Sequence, residues 1–226
     1  MTDDAYLQPA VAAEFTSLAD LLSAATGAQW DTWSLCAGWR VREVIAHLTT
    51  AARYSEQEFM AELQRRGLDV TQLSDEIAGR DANLPTSQLV ACLRSEVMRQ
   101  WTPPGGGYRR ALRLVVIHGL DVTVPLGVPH GCSDETIRVV LDGLTRDGDH
   151  GHFGIAIEGR CLAATDLDWS YGSGAALRGT AGDLALALCG RAVPPGRLDG
   201  ELLRRADPAT APQPSAGGPA DITVGH

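Results

Sequence analysis

The residues best placed to do chemistry lie between Arg113 and Gly127, in R-L-V-V-I-H-G-L-D-V-T-V-P-L-G. There one histidine, His118, and one carboxylate, Asp121, interrupt an otherwise apolar run. On a helix, residues three apart share a face, so the imidazole and the carboxylate point the same way, beside Leu114 and Val115. Burying both among valines and leucines costs free energy unless they are hydrogen-bonded, paired or bound to a metal. A second histidine, His47, has a similar setting in V-R-E-V-I-A-H-L. The expectation is that two helices face each other and that His47 and His118 mark one site.

The elements that must position these residues follow from apolar spacing. Leu7, Val11, Phe15, Leu18 and Leu22 predict a first helix over 5–25, ending near Gly27. Trp30, Trp33 and Trp39 then crowd a loop, W-D-T-W-S-L-C-A-G-W, a pattern that more often cements a loop onto a core than lines a pocket. Val41, Val44, Ile45, Leu48, Ala51 and Ala52 predict a second helix running to Arg66, with Gly67 as its stop and His47 facing inward. The polar stretch from Leu68 to Pro85 reads as a long connection with a short helix at 74–78, either a lid over the site or a solvated loop. Thr86 can cap a third helix with Leu89, Val90, Leu93, Val97 and Trp101 on one face. The fourth helix, about 108–124, carries the opening stretch, and four such helices make a bundle with a site in its core.

Ser133 can cap a fifth helix, and after Arg146 the character changes. Runs at 153–157, 161–166 and 167–171 have strand character, and 181–190 reads as a helix finishing at C-G-R. The fold class expected is therefore α+β, with a helix-bundle domain at 1–146, a small α+β domain at 147–206 and a disordered tail at 207–226, rich in alanine, proline and glycine.

Composition narrows the function. A net charge of −9 argues against nucleic acid as a partner. The 19 basic residues are all arginine, which excludes a lysine Schiff base and a Walker-type phosphate loop. The five cysteines include no C-x-x-C pair, which fits reduced thiols; Cys36, in the loop between tryptophans, is the one to watch. With no run of eighteen apolar residues and no basic-then-apolar N-terminus, a cytoplasmic protein with no membrane partner is expected.

Four motifs in order, S-L-C-A-G-W-R-V-R-E-V-I-A-H-L at 34–48, V-V-I-H-G-L-D-V-T-V-P-L-G at 115–127, L-A-A-T-D-L-D-W-S-Y-G-S-G at 162–174 and G-T-A-G-D-L-A-L-A-L-C-G-R at 179–191, resemble the mycothiol-dependent maleylpyruvate isomerase family. The resemblance covers roughly residues 5–200 and implies a DinB-like four-helix bundle followed by the family's small α+β domain. It implies a divalent metal, usually zinc, held by a histidine of the second helix and by an acid and a histidine spaced four apart on the fourth. His47 and His118 match the two histidines, but the acid's position is Leu114, which cannot ligate.

Three readings stand at that point. Asp121 replaces the missing carboxylate, so that His47, His118 and Asp121 bind the metal; or the two histidines bind it weakly with water; or the metal is lost and the histidines act as acid/base groups or as core residues. Asp121 also has a bland role, orienting His118. The resemblance further implies an arginine at the active site, matched by Arg191, which would clamp a substrate or thiol carboxylate; the alternative is a helix-end arginine satisfying carbonyls. His150 and His152 read as a solvated turn, and Asp166 and Asp168, both on one face of a strand, as a fold signature.

The implied activity is thiol-dependent. Mycothiol or a similar low-molecular-weight thiol, activated by the metal, would drive isomerisation or S-transfer on a small carboxylate-bearing substrate, with His118, Asp121 and Arg191 as catalytic residues. The alternatives are a metal-free isomerase or cyclase using His118 and Asp121 as an acid/base pair, and a non-catalytic binder of an apolar small molecule. The partner is a small molecule, and the chain is expected to be a monomer or a homodimer.

Overall fold

The computed structural model describes residues 4–205, so the expected tail at 207–226 lies outside the described residues. The chain forms two compact units, which divide between Gly131 and Cys132. The helix capped by Ser133 therefore belongs to the second unit, where the sequence reading drew its boundary at 146.

The first unit opens with a 3-10 turn, Ala5–Leu7, and then α1 (Gln8–Ser23), whose Val11, Phe15, Leu18 and Leu22 are buried as their spacing predicts. After a short α2 (Gly27–Trp30) comes α3 (Val41–Leu48), which carries His47. The second helix expected to reach Arg66 stops here. Thr49 Oγ1 and Thr50 Oγ1 turn back onto the carbonyls of Ile45 and His47. After a 3-10 turn at Thr50–Ala52, Ser55 and Glu58 form a capping box that starts α4 (Glu56–Arg65) afresh.

The expected long connection is mostly helix, α5 (Val70–Asp81), N-capped by Asp69 and packed on α3 through buried Leu73, Ser74, Ile77 and Ala78. Its polarity is that of one exposed face rather than of a lid. The third expected helix divides into α6 (Thr86–Leu93) and α7 (Glu96–Gln100), because the Ser95 side chain caps a new start. Val97, assigned to the core face, is consequently exposed.

The last helix of this unit, α8 (Gly107–Leu126), is the axis of the bundle, with every residue from Ala111 to Thr123 buried. α1 packs along it and also covers α6 and α7, while α3 lies between α8 and α5. Gly127 closes α8 in the left-handed conformation that glycine adopts without strain.

In the second unit, α9 (Asp134–Thr145) is capped by Ser133 as expected. A 3-10 turn, Asp149–Phe153, leads to six short strands: β1 (Ile155–Ala156), β2 (Arg160–Ala164), β3 (Ser170–Gly172), β4 (Ala175–Gly179), β5 (Leu198–Gly200) and β6 (Arg204–Arg205). β1 pairs with β6; the other four form a sheet in the order β3-β2-β4-β5, with β2 and β4 parallel and the outer pairs antiparallel. α10 (Ala181–Leu188) crosses between the sheet, whose Leu162 and Leu177 are fully buried, and α9. The segment 167–171 expected as one strand is largely a turn, and β4 and β5 went unread because their glycines and polar residues break alternation. No helix among the described residues is long and apolar enough to cross a membrane.

Candidate functional site

The bundle brings its two histidines together. The rings of His47 on α3 and His118 on α8 meet edge to face with centroids 5.3 Å apart. His118 and Asp121 are 5% and 0% exposed, and one turn of α8 sets His118 Nδ1 at 3.0 Å from Asp121 Oδ2. An ionised carboxylate only accepts, so Nδ1 carries the proton in this pair and leaves Nε2 as the basic nitrogen of neutral His118.

A third group arrives from the tryptophan loop. Pro125, in the last turn of α8, has no N–H to give to the carbonyl four residues back, and that carbonyl, Asp121 O, instead accepts from Leu35 N at 3.0 Å. The loop is closed by an antiparallel bridge between Trp33 and Arg40 and by Ser34 N donating to Trp39 O at 2.9 Å. Gly38, at φ 78°, makes the turn. So fixed, the loop buries the Cys36 thiol, which donates to Asp121 Oδ2 at 3.0 Å and lies 3.7 Å from His118 Nδ1. Of the three indoles, Trp30 is core, Trp39 lies tilted against His47 with ring centroids 5.0 Å apart while donating to Asp75 at 3.1 Å, and Trp33 is exposed.

His47 stands between this buried cluster and open space. It lines a cavity of about 320 Å³ with Tyr54, Phe59, Ile77, Trp101 and Leu114 among its neighbours. Leu114 therefore reaches the place where the resemblance implies an acid and presents hydrocarbon there.

The other expected residues fall elsewhere. Arg191 is in the second unit, buried just past α10, with Nη1 donating to Cys189 O at 3.4 Å. His150 Nδ1 is 2.8 Å from Leu144 O in the 3-10 turn. Asp166 and Asp168 sit in the β2–β3 turn rather than on a strand; Asp166 accepts from Ala181 N at 2.8 Å, capping α10, and the Asp168 carbonyl accepts from Arg138. A buried pair that sequence reading missed is His130 Nε2 with Glu14 Oε2 at 3.2 Å. Its signal is Gly119, where an added Cβ would come within 2.4 Å of the His130 ring.

Among the described residues, Cys36, His118 and Asp121 are a group whose ligand atoms converge closely enough to hold a metal ion. Metal bonds of about 2.0 Å to nitrogen and oxygen and about 2.3 Å to sulfur put the edges of a tetrahedron at roughly 3.3–3.6 Å. The three observed separations, 3.0, 3.0 and 3.7 Å, are near those edges. A thiolate, an imidazole and a carboxylate are also the donor types zinc takes. The residues thus fit a divalent ion, on a ligand set displaced from the one the resemblance implies: Leu114 cannot serve, and His47 stands outside the converging group.

These features define a helix-bundle protein with a polar cluster in its core, joined in sequence to a small α+β unit. Residues 11–101 match the family described as the mycothiol maleylpyruvate isomerase N-terminal domain. Two solved structures share the fold: a mycothiol-dependent maleylpyruvate isomerase, at 16% identity and TM-score 0.54, and a histidine-to-alanine mutant of such an enzyme, at 17% and 0.54. Each likeness covers 92% of this chain and 92% of the other. No curated protein matches the sequence.

Proposed function

We propose that this protein is a thiol-dependent enzyme that isomerises, or transfers sulfur to, a small molecule bound in the cavity beside His47. The observation that carries the reading is the line from cavity to core, His47 against His118, and His118 on Asp121 and Cys36. The family match and the likeness of fold support a mycothiol-type thiol as the second reactant.

In this reading His47 faces the cavity and accepts the S–H proton of the incoming thiol at a ring nitrogen. The thiolate adds to one carbon of an activated double bond, whose π electrons move onto the activating group. Rotation about the resulting single bond and expulsion of the thiolate give the isomer, and His47 returns the proton to sulfur. Asp121 holds His118 in one tautomer, and His118 holds the His47 ring edge-on. A divalent ion, zinc by the donor types, would be held by Cys36, His118 and Asp121 in place of the Nδ1 and thiol protons that otherwise join them, and would supply charge that favours thiolate at neutral pH. Arg191 is proposed to bind the thiol cofactor.

A metal-free acid/base role for His118 and Asp121 is a second reading. It is favoured by one observation: the thiol and the Nδ1–H both find Asp121 Oδ2 as acceptor, so the cluster's hydrogen bonds close without an ion.

Metal analysis of purified protein together with thiol-dependent turnover tests both. The first reading expects stoichiometric divalent metal, lost in His118→Ala and in Cys36→Ala, and activity lost on chelation. Activity that survives chelation but disappears in His118→Ala selects the second reading. Turnover that is independent of added thiol overturns the proposal.

A further inference from the structure

The chemistry of the cavity wall narrows what can enter it. Resting on the reading that this cavity is the substrate site, we infer that it takes a neutral, largely apolar small molecule with a flat unsaturated face, rather than a free carboxylate.

The wall is built from Phe59, Ile77, Trp101 and Leu114, with His47 at its inner end. Three of its five hydroxyls donate within the protein, Thr50 to His47 O at 2.7 Å, Ser55 to Glu58 at 2.8 Å and Tyr54 to Asp81 at 2.8 Å, and the other two, Ser74 and Thr102, are neutral groups that bring no positive charge. No arginine lines it among the described residues, and the one charged side chain in the wall is an exposed carboxylate, Glu56.

The nearby cations are spent as well. Arg53 donates to Asp81, to Thr49 and to the Ala46 carbonyl, and Arg80 to Asp81 and the Tyr54 hydroxyl. A carboxylate entering the cavity would leave water to meet no arginine, only the neutral imidazole that His47 must keep in order to accept the thiol proton, which is unfavourable unless the charge is neutralised. The net charge of −9 adds a repulsive field on the way in. A flat apolar ring has the opposite balance. It would lie against Trp101 and Phe59, bury its surface on Leu114 and Ile77, and present any carbonyl or hydroxyl to His47.

The substrate carboxylate expected from the sequence rested on Arg191, which the second unit holds on the carbonyl of Cys189. The cavity itself offers no such anchor.

The test uses the full chain and two probes of one shape, 2-naphthol and 2-naphthoate, titrated calorimetrically at pH 7 without thiol. The neutral probe is expected to bind at least tenfold more tightly than the anion. Thr102→Arg, at a half-buried position of the wall, is expected to raise 2-naphthoate affinity about tenfold and to leave 2-naphthol within twofold. Leu114→Glu is expected to weaken both. Equal or tighter binding of 2-naphthoate by the wild-type chain overturns the inference, and so does the absence of binding by either probe. Because no thiol is present, a failure of thiol-dependent turnover leaves this result standing, and its own failure leaves the thiol chemistry untouched.

Discussion

Asp81 and Asp121 are both buried carboxylates of the first unit, at 5% and 0% exposure, and their surroundings could hardly differ more. Asp81 is saturated with cations and a phenol: Arg53 and Arg80 each donate at 2.9 Å and Tyr54 at 2.8 Å. Burial works to raise its pKa, but those donors outweigh it and hold the carboxyl below its ordinary range. The same arrangement pushes the Tyr54 hydroxyl up, through burial and its bond to Asp81. Asp121 has a thiol and an imidazole instead. A carboxylate locked by arginines is a structural pin; one held by two groups that can each lose a proton or bind a metal is poised for chemistry. Partner type, more than burial, separates the two roles.

The largest effect that follows is on stability. Asp81 ties α5 to the break after α3, so Asp81→Ala strands Arg53, which is almost wholly buried and also serves the carbonyls of Thr49 and Ala46. Removing one partner of a buried ion pair costs about 3–5 kcal/mol. Chemical denaturation of the variant should show a loss of that size, while the folded fraction keeps its His47–His118 site. A loss below about 1 kcal/mol would erase the distinction between the two aspartates.

The comparison also shows what could be read in advance. His118 and Asp121 stood out because two polar residues at helical spacing in an apolar run must be partnered, and the bundle that pairs His47 with His118 followed from apolar periodicity. The Asp81 cluster was invisible: Arg53 and Tyr54 fell inside the second helix expected to run to Arg66, Arg80 and Asp81 in the polar stretch read as a connection, and the helix break that gathers them depends on local capping by Ser55 and Glu58. Cys36 was noticed but could not be placed. Its position follows from Pro125, which frees the Asp121 carbonyl for Leu35, a tertiary use of a missing N–H that no single-segment pattern reveals.

A second effect is acid sensitivity, and its sign follows from the lowered Asp81 pKa. The unfolded chain protonates this carboxyl first, at about pH 4, so the folded state keeps the full benefit of the ion pairs above that pH and loses it as pH falls through the lower folded value. Denaturation midpoints of the wild type should drop as the pH falls below about 4, and the gap between wild type and Asp81→Asn should hold above that pH and shrink below it. Other carboxylates with lowered values, Asp142 among them, add their own acid loss, and the variant isolates the share of Asp81. A gap that stays constant would mean that the arginines hold the loop by shape rather than by charge.

The smallest effect belongs to Cys36. Its thiol, a weak donor, contributes one hydrogen bond to Asp121 Oδ2, and the carboxylate keeps His118 Nδ1 when the thiol is gone. Cys36→Ala should therefore cost only about 1 kcal/mol. Cys36→Ser should recover part of that, since a hydroxyl can donate to the same oxygen. Metal content separates this bond from ligation: a serine that restores stability without restoring bound metal makes the sulfur a ligand, whereas alanine and serine variants that match the wild type in metal content leave Cys36 as a donor that only steadies Asp121. The Asp81 cluster offers no such split, because the arginines that hold its carboxylate are donors only and cannot ligate a metal.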